Sequence, residues 1–176
     1  MEMKEKKIDG TLIYDGKVIH VVKDKVLCPN GCESVREIVK HNGGAAVLCL
    51  NDKEEVLLIK QFRYAYDEVI YEIPAGKLEL NENPYDAALR ELEEETGNKA
   101  TKLKKLGEIY PTCGYSNEII YIYLALNCKK TNTHFDDDEI IESKFIPLNE
   151  VKEMIKNGII KDAKTICAIN YYELNK

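Results

Sequence analysis

The stretch GKLELNENPYDAALRELEEETGN, residues 76 to 98, constrains the fold more than any other part of the chain. Asn83-Pro84 is a helix start: a side chain that caps free backbone N–H groups, then a proline whose missing N–H costs nothing at the first helical position. Asp86 falls in the first turn, where a negative charge suits the helix dipole. Gly97 is the expected left-handed stop. Between them Tyr85, Ala88, Leu89 and Leu92 recur at i, i+3, i+4 and i+7, one apolar stripe that faces a core. Glu91, Glu94 and Glu95 share a second face. Like charges at this spacing cost roughly a few tenths of a kcal/mol per pair, and Glu94 and Glu95 also sit at the negative end of the dipole. A solvated acidic face is one explanation, and Glu93, on yet another side, is read that way. The other is a site for a hard divalent cation, Mg²⁺ or Mn²⁺, which relieves the repulsion.

The rest of the chain supplies what such a helix packs on. Its 176 residues, 44% of them hydrophobic, suit one domain or one domain with a small extension. TLIYDGKVIHVV alternates around Asp15-Gly16 and KVLCPNGCESVREIV around Asn30-Gly31, which predicts an antiparallel meander over residues 10–40. So few strands are marginal alone, so this piece docks on its own domain or on a partner chain. Gly43-Gly44 marks the change, giving a meander at 1–41 and a main domain at 42–176. AAVLCL and EVLLIKQF read as buried strands joined by NDKE, VIYEI as a short strand stopped by Pro74, and further strands fall near 103–110, 119–127 and 140–146. NEVKEMIKNG and DAKTICAINYYEL read as helices, with Asn149 and Asp162 as N-caps and Gly158 as a stop. This mixture predicts an α+β layered domain.

A formal net charge of −6 argues against a general nucleic-acid binder, since phosphate backbones want a basic face. An acidic protein still binds phosphates through a divalent cation. MEMKEKKIDG is charged with no apolar stretch behind it, and the apolar run IIYIYLAL is far too short to span a bilayer, so the expectation is a cytoplasmic protein without a membrane partner. Six cysteines without a CxxC pair or a histidine cluster read as reduced thiols, several of them buried.

The acidic helix belongs to a long fixed frame: Gly76, five residues, Glu82, seven residues, Arg90-Glu91-Leu92, one residue, Glu94-Glu95, one residue, Gly97. This frame resembles the signature of the Nudix hydrolases. One position departs, Asn98, where an aliphatic residue is usual. The resemblance runs over roughly residues 10 to 160 and implies an α/β/α sandwich with a mixed sheet, preceded by the N-terminal β meander. It implies hydrolysis of a nucleoside diphosphate linked to another group. Glu91 and Glu95 would bind the metal and Glu94 would contribute to catalysis, while Arg90 would orient the acids, with Glu82 behind them.

VLLIKQFRYAYDEVIYEIPAGKLE and GEIYPTCGYSNEIIYIYLA are similar to the ADP-ribose pyrophosphatase group. That likeness implies that the Ala75 carbonyl joins the metal shell and that Arg63 holds phosphate. Gly114, Ser116 and Glu118 would line the substrate cleft. Cys113 stands where the group commonly has proline. In this branch a loop at residues 136–142, DDDEIIE, carries a catalytic glutamate, Glu139 first and Glu142 second. Plainer readings stand beside these: Arg63 as a surface cation, Tyr64 and Tyr66 as core or interface instead of a base-stacking platform, and the acidic run as a solvated turn. The implied reaction is Mg²⁺-dependent cleavage of ADP-ribose to AMP and ribose 5-phosphate by a homodimer that exchanges the meander. The alternatives are another nucleotide sugar, a dinucleotide, or a nucleotide-sensing domain without catalysis.

Overall fold

The computed structural model describes residues 3–133 and 140–176. The chain divides into two compact units, Met1–Gly43 with Tyr110–Ile119, and Gly44–Ile109 with Ile120–Lys176.

The first unit is built on three antiparallel strands in the order β1-β2-β3, namely β1 (Lys6–Asp15), β2 (His20–Leu27) and β3 (Glu33–Lys40). The meander therefore starts four residues before its alternating pattern becomes visible at residue 10. Gly31, at φ 85°, supplies the left-handed residue of the second turn. Residues 110–119 join the end of β3. The Val39 N–H donates to the Tyr115 carbonyl at 2.8 Å, the Asn117 N–H to the Val39 carbonyl at 3.2 Å, and the His41 N–H to Asn117 Oδ1 at 2.9 Å.

The second unit is a mixed sheet between helices. Its strands are β4 (Gly44–Leu50), β5 (Glu55–Arg63), β6 (Glu68–Glu72), β7 (Ala75–Lys77), β9 (Leu103–Ile109), β10 (Ile120–Leu126) and β12 (Ile141–Pro147). The order is β12-β5-β4-β10-β9, with β6 on β5 and β7 on β4. Among the described strands of this sheet only β4 and β10 pair in parallel. Every residue of β4 is buried, because both of its faces are covered. Ala45, Val47 and Cys49 face α1 (Pro84–Thr96), where Ala87, Ala88 and Leu92 fill the layer. Ala46, Leu48 and Leu50 face α2 (Leu148–Lys156) and α3 (Ala163–Leu174). The α/β/α sandwich is thus present, and burying each fully covered aliphatic side chain contributes about 1.5–3 kcal/mol.

The local signals around α1 act as their chemistry requires. The Tyr85 N–H donates to Asn83 Oδ1 at 2.9 Å, Pro84 opens the helix, and Gly97 at φ 58° closes it with its N–H on the Glu93 carbonyl. A two-strand clip secures that end: β8 (Asn98–Lys99) pairs with β11 (Lys129–Lys130). Lys130 Nζ donates to the Thr96 carbonyl at 2.9 Å and the Thr131 N–H to the Gly97 carbonyl at 2.7 Å.

Asp162 caps α3, accepting from the Thr165 N–H, and Gly158 takes a left-handed φ of 70° just past α2. Asn149 is not the cap of α2. That helix begins at Leu148, whose side chain is buried and whose N–H donates to the Glu54 carbonyl, so Asn149 lies inside the first turn. Among the described residues no helix is long and apolar enough to cross a membrane.

Candidate active site

The site grows from the contact between α1 and β7. β7 runs antiparallel to β4 and places Gly76 opposite Ala45. The Glu91 carboxylate lies directly on Gly76: a Cβ there would stand 1.9 Å from Glu91 Cδ. Glycine at this position is therefore a requirement of close approach. One turn further on, Glu95 is only 3% exposed and accepts the Ala75 N–H at 2.9 Å.

Arg90 answers the electrostatic problem posed by the acids. Its Nε and Nη2 donate to the two oxygens of Glu82, both at 3.1 Å. Its Nη1 donates to Glu91 Oε1 at 2.7 Å and to Glu94 Oε2 at 3.0 Å. Burial alone would lower the guanidinium pKa. The Glu82 hydrogen bonds and the Glu91 charge outweigh it and raise the pKa above its ordinary value. The Arg90 guanidinium in turn holds the Glu82 carboxyl below the usual carboxylate range. Glu82 is fixed as well by the Glu79 N–H at 2.8 Å. Glu93, expected to be solvated, is half-buried and pairs with Lys99 at 2.8 Å.

Among the described residues no three His, Cys, Asp or Glu side chains converge tightly enough to form a closed cation cage. The donor set nonetheless fits a hard divalent cation. Glu91, Glu94 and Glu95 offer carboxylate oxygens along one face of α1, and the glycine at 76 leaves Glu91 room beside β7.

A second network lies at Arg63, near enough to Glu95 for the two charges to interact. Arg63 grips Glu72 with two bonds, Nε to Oε1 at 2.6 Å and Nη2 to Oε2 at 2.8 Å. Glu72 is 1% exposed and also bonds Lys164 of α3. Lys164 reaches Asp162 Oδ1 at 2.9 Å, and Thr165 Oγ1 accepts the Ile73 N–H at 2.9 Å. Desolvation pushes the Glu72 carboxyl up, but the Arg63 hydrogen bonds and the Lys164 charge bring it below its ordinary value. Arg63 is thus not a lone surface cation. Sequence reasoning passed over Glu72, Lys164 and Thr165. The available signal was an acid ending the apolar strand VIYEI.

Ala75, Glu91, Glu94 and Glu95 come together as described, with Arg63 on the adjoining strand β5. Gly114, Ser116 and Glu118 belong to the other unit, where the Glu118 N–H donates to Ser116 Oγ at 3.1 Å and Glu118 lies 3.5 Å from His41 Nδ1. Tyr64, 91% exposed, and Tyr66 stand at the β5–β6 turn, so neither is a core residue. Glu142 lines a cavity with Lys60, Tyr71 and Met154, on the sheet face that carries α2. Glu139 lies outside the described residues.

Residues 40–168 match the NUDIX domain. The chain is 42% identical over 176 residues to an ADP-ribose pyrophosphatase of Bacillus subtilis (strain 168), covering 99% of this chain and 95% of that one. It is 38% identical over 175 residues to a methanol dehydrogenase activator of Bacillus methanolicus, covering 98% and 95%. Among solved structures, that of an ADP compounds hydrolase superposes with a TM-score of 0.84 at 19% identity, over 97% of this chain and 93% of that one, a likeness of fold. The chain belongs to the NUDIX family, as a pyrophosphohydrolase.

Proposed function

We propose that this protein hydrolyses the diphosphate bridge of ADP-ribose, or of a closely related nucleoside diphosphate sugar, with Mg²⁺ or Mn²⁺, giving AMP and ribose 5-phosphate from ADP-ribose. The observation that carries the reading is the gathering of Glu82, Glu91 and Glu94 on Arg90 beside Gly76, within a frame that keeps every acid. The near full-length likeness to a protein named for ADP-ribose supports the substrate class.

In this reading Glu91, Glu95 and the Ala75 carbonyl would hold the cation, with Glu94 beside them. When bound, a divalent cation would supply neutralising charge at the diphosphate and make a water more acidic. Arg63 holds a phosphate while Glu72 fixes the guanidinium plane. Gly114, Ser116 and Glu118 line the substrate cleft. Glu139 takes the proton of the attacking water, as general bases do. Water adds to one phosphorus, the bridging P–O bond breaks, and the leaving phosphate takes the bridging oxygen. The six free thiols support a reducing, cytoplasmic setting. The exposed faces of the N-terminal strands support a homodimer.

Cys113, where the resembled group commonly has proline, bears on the choice among ADP-ribose, other nucleotide sugars and dinucleotides. One panel separates them: ADP-ribose, other nucleotide sugars, dinucleotides and oxidised dNTPs, each with Mg²⁺ and with chelator. AMP released from ADP-ribose at the highest kcat/KM supports the proposal. Preference for another substrate replaces it, and binding without metal-dependent release shows a sensor.

A further inference from the structure

We propose that Cys49 and Cys128 form a dithiol modification site that closes to an intramolecular disulfide when the protein meets a hydroperoxide. The two thiols touch, with Cys49 Sγ donating to Cys128 Sγ at 3.4 Å. Their meeting follows from the chain path. Cys49 lies in β4 beside Ala125 of the parallel strand β10. The Asn127 N–H donates to the Leu50 carbonyl, and Asn127 takes a left-handed φ of 53°. That reversal turns Cys128 back over the α1 face of the sheet, into the apolar layer that holds Cys49 and Phe145.

The pair is asymmetric in the way a two-step oxidation needs. Cys49 is buried, whereas Cys128 is half-buried and lines a cleft of about 390 Å³ with Asn98, Lys130 and Asp52. The S–H bond from Cys49 holds the Cys128 thiol below its ordinary range, while the same bond and burial raise Cys49. Cys128 is therefore the more acidic and the more reachable of the two sulfurs, and acidity and access are the two properties that select a site of oxidation. Its thiolate attacks the hydroperoxide, the O–O bond breaks, and the alcohol (water, for hydrogen peroxide) leaves after taking a proton from solvent. Cys128 becomes a sulfenic acid. The Cys49 sulfur then attacks the Cys128 sulfur, the S–O bond breaks, and the oxygen leaves as water with the Cys49 proton. Two electrons pass from the sulfurs to the peroxide. The sulfurs must close to about 2.05 Å, a short movement for a residue beyond the last position of β10.

The bridge acts at a defined place. Cys128 leads directly into β11, and Lys130 and Thr131 hold the carbonyls of Thr96 and Gly97 at the end of the helix that carries the acids. A disulfide fastens this clip to the central strand. The competing pair is Cys28 and Cys32, neighbours across the Gly31 turn, where Cys28 Sγ already bonds Glu5.

The test treats reduced full-length protein with one to a few equivalents of hydrogen peroxide, alkylates remaining thiols, and maps peptides without reduction. The expected result is a mass loss of about 2 Da, a Cys49–Cys128 bridged peptide that dithiothreitol reverses, and the same bridge in a C28S/C32S/C113S protein. Amide exchange at Asn98 and Lys99 should slow at least about threefold in the oxidised form. Several results overturn the proposal: Cys128 reaching the sulfinic state with Cys49 still alkylatable, a bridge confined to Cys28 and Cys32, Cys113 oxidised ahead of Cys128, or unchanged exchange at Asn98 and Lys99.

Discussion

Gly76 and Glu95 are the residues where the geometry leaves least freedom. In Gly76→Ala the new methyl meets the end of the Glu91 side chain, which swings away more easily than the backbone moves. The fold should lose no more than about 1 kcal/mol, in the range of an ordinary substitution, while kcat for the preferred substrate falls by about 10²-fold. Thermal melts and turnover on the same sample check this, and unaltered turnover would remove Glu91 from the site. Glu95→Gln keeps an oxygen for the Ala75 N–H but removes the charge. Metal-dependent hydrolysis should disappear with the melting temperature nearly unchanged, and near wild-type turnover would sink the metal assignment. For the base, Glu139→Gln should lower kcat by about 10²-fold or more with KM little changed, and Glu142→Gln should be mild. Glu142 sits with Lys60 and Tyr71 on the α2 face. At this scale the frame from Gly76 to Gly97 was legible because its partners are local, Arg90 reaching Glu91 and Glu94 within one turn. The grip of Arg63 on Glu72 was not, since it depends on how β5 and β6 pair and on a lysine from the far end of the chain.

The N-terminal turn of α3 is the element that braces this second network. Asp162, Lys164 and Thr165 tie it to Glu72 and to the Ile73 N–H, two residues before Ala75. Glu72 carries a pH signature whose sign is fixed. Its folded pKa lies below the ordinary value, so its stabilisation is fully present above about pH 4.3, the unperturbed glutamate value. It is lost as pH falls through the lower, folded pKa. Glu72→Gln should cost about 3 kcal/mol at neutral pH, the low end for a broken buried pair because Arg63 keeps access to water. It should also flatten the acid limb of the stability curve. Urea unfolding from pH 7 down to 3 reads both, and parallel wild-type and variant acid limbs would show that Glu72 is not the group being titrated. The elements were legible to different depths. α1 and α3 announced themselves by side-chain caps, Asn83 and Asp162. α2 has no side-chain cap, and its cap position, Pro147, lies two residues before the Asn149 expected from the sequence. The β8–β11 clip, two residues on each side, carries no periodicity at all.

At the scale of the whole molecule, an apolar run such as AAVLCL says that a strand is buried but not which neighbour it takes, so the parallel pairing of β4 with β10 was beyond sequence reasoning. The alternating meander was readable, and it leads to the last prediction. All ten residues of β1 are exposed, among them Ile8, Leu12, Ile13 and Tyr14, and β2 and β3 add Leu27 and Val35. An edge strand of this length with bare apolar side chains invites another chain. Covering the bare apolar side chains of this three-stranded sheet would stabilise it. A second copy would supply that layer without any new partner. Light scattering at micromolar concentration should therefore report about twice the 20.1 kDa chain mass. Leu12→Glu combined with Tyr14→Glu should give a monomer whose far-ultraviolet spectrum still shows the helices, because β1 belongs to the unit that contains no helix. A wild-type protein that runs as a monomer would refute the dimer, and a double variant that still dimerises would place the interface elsewhere.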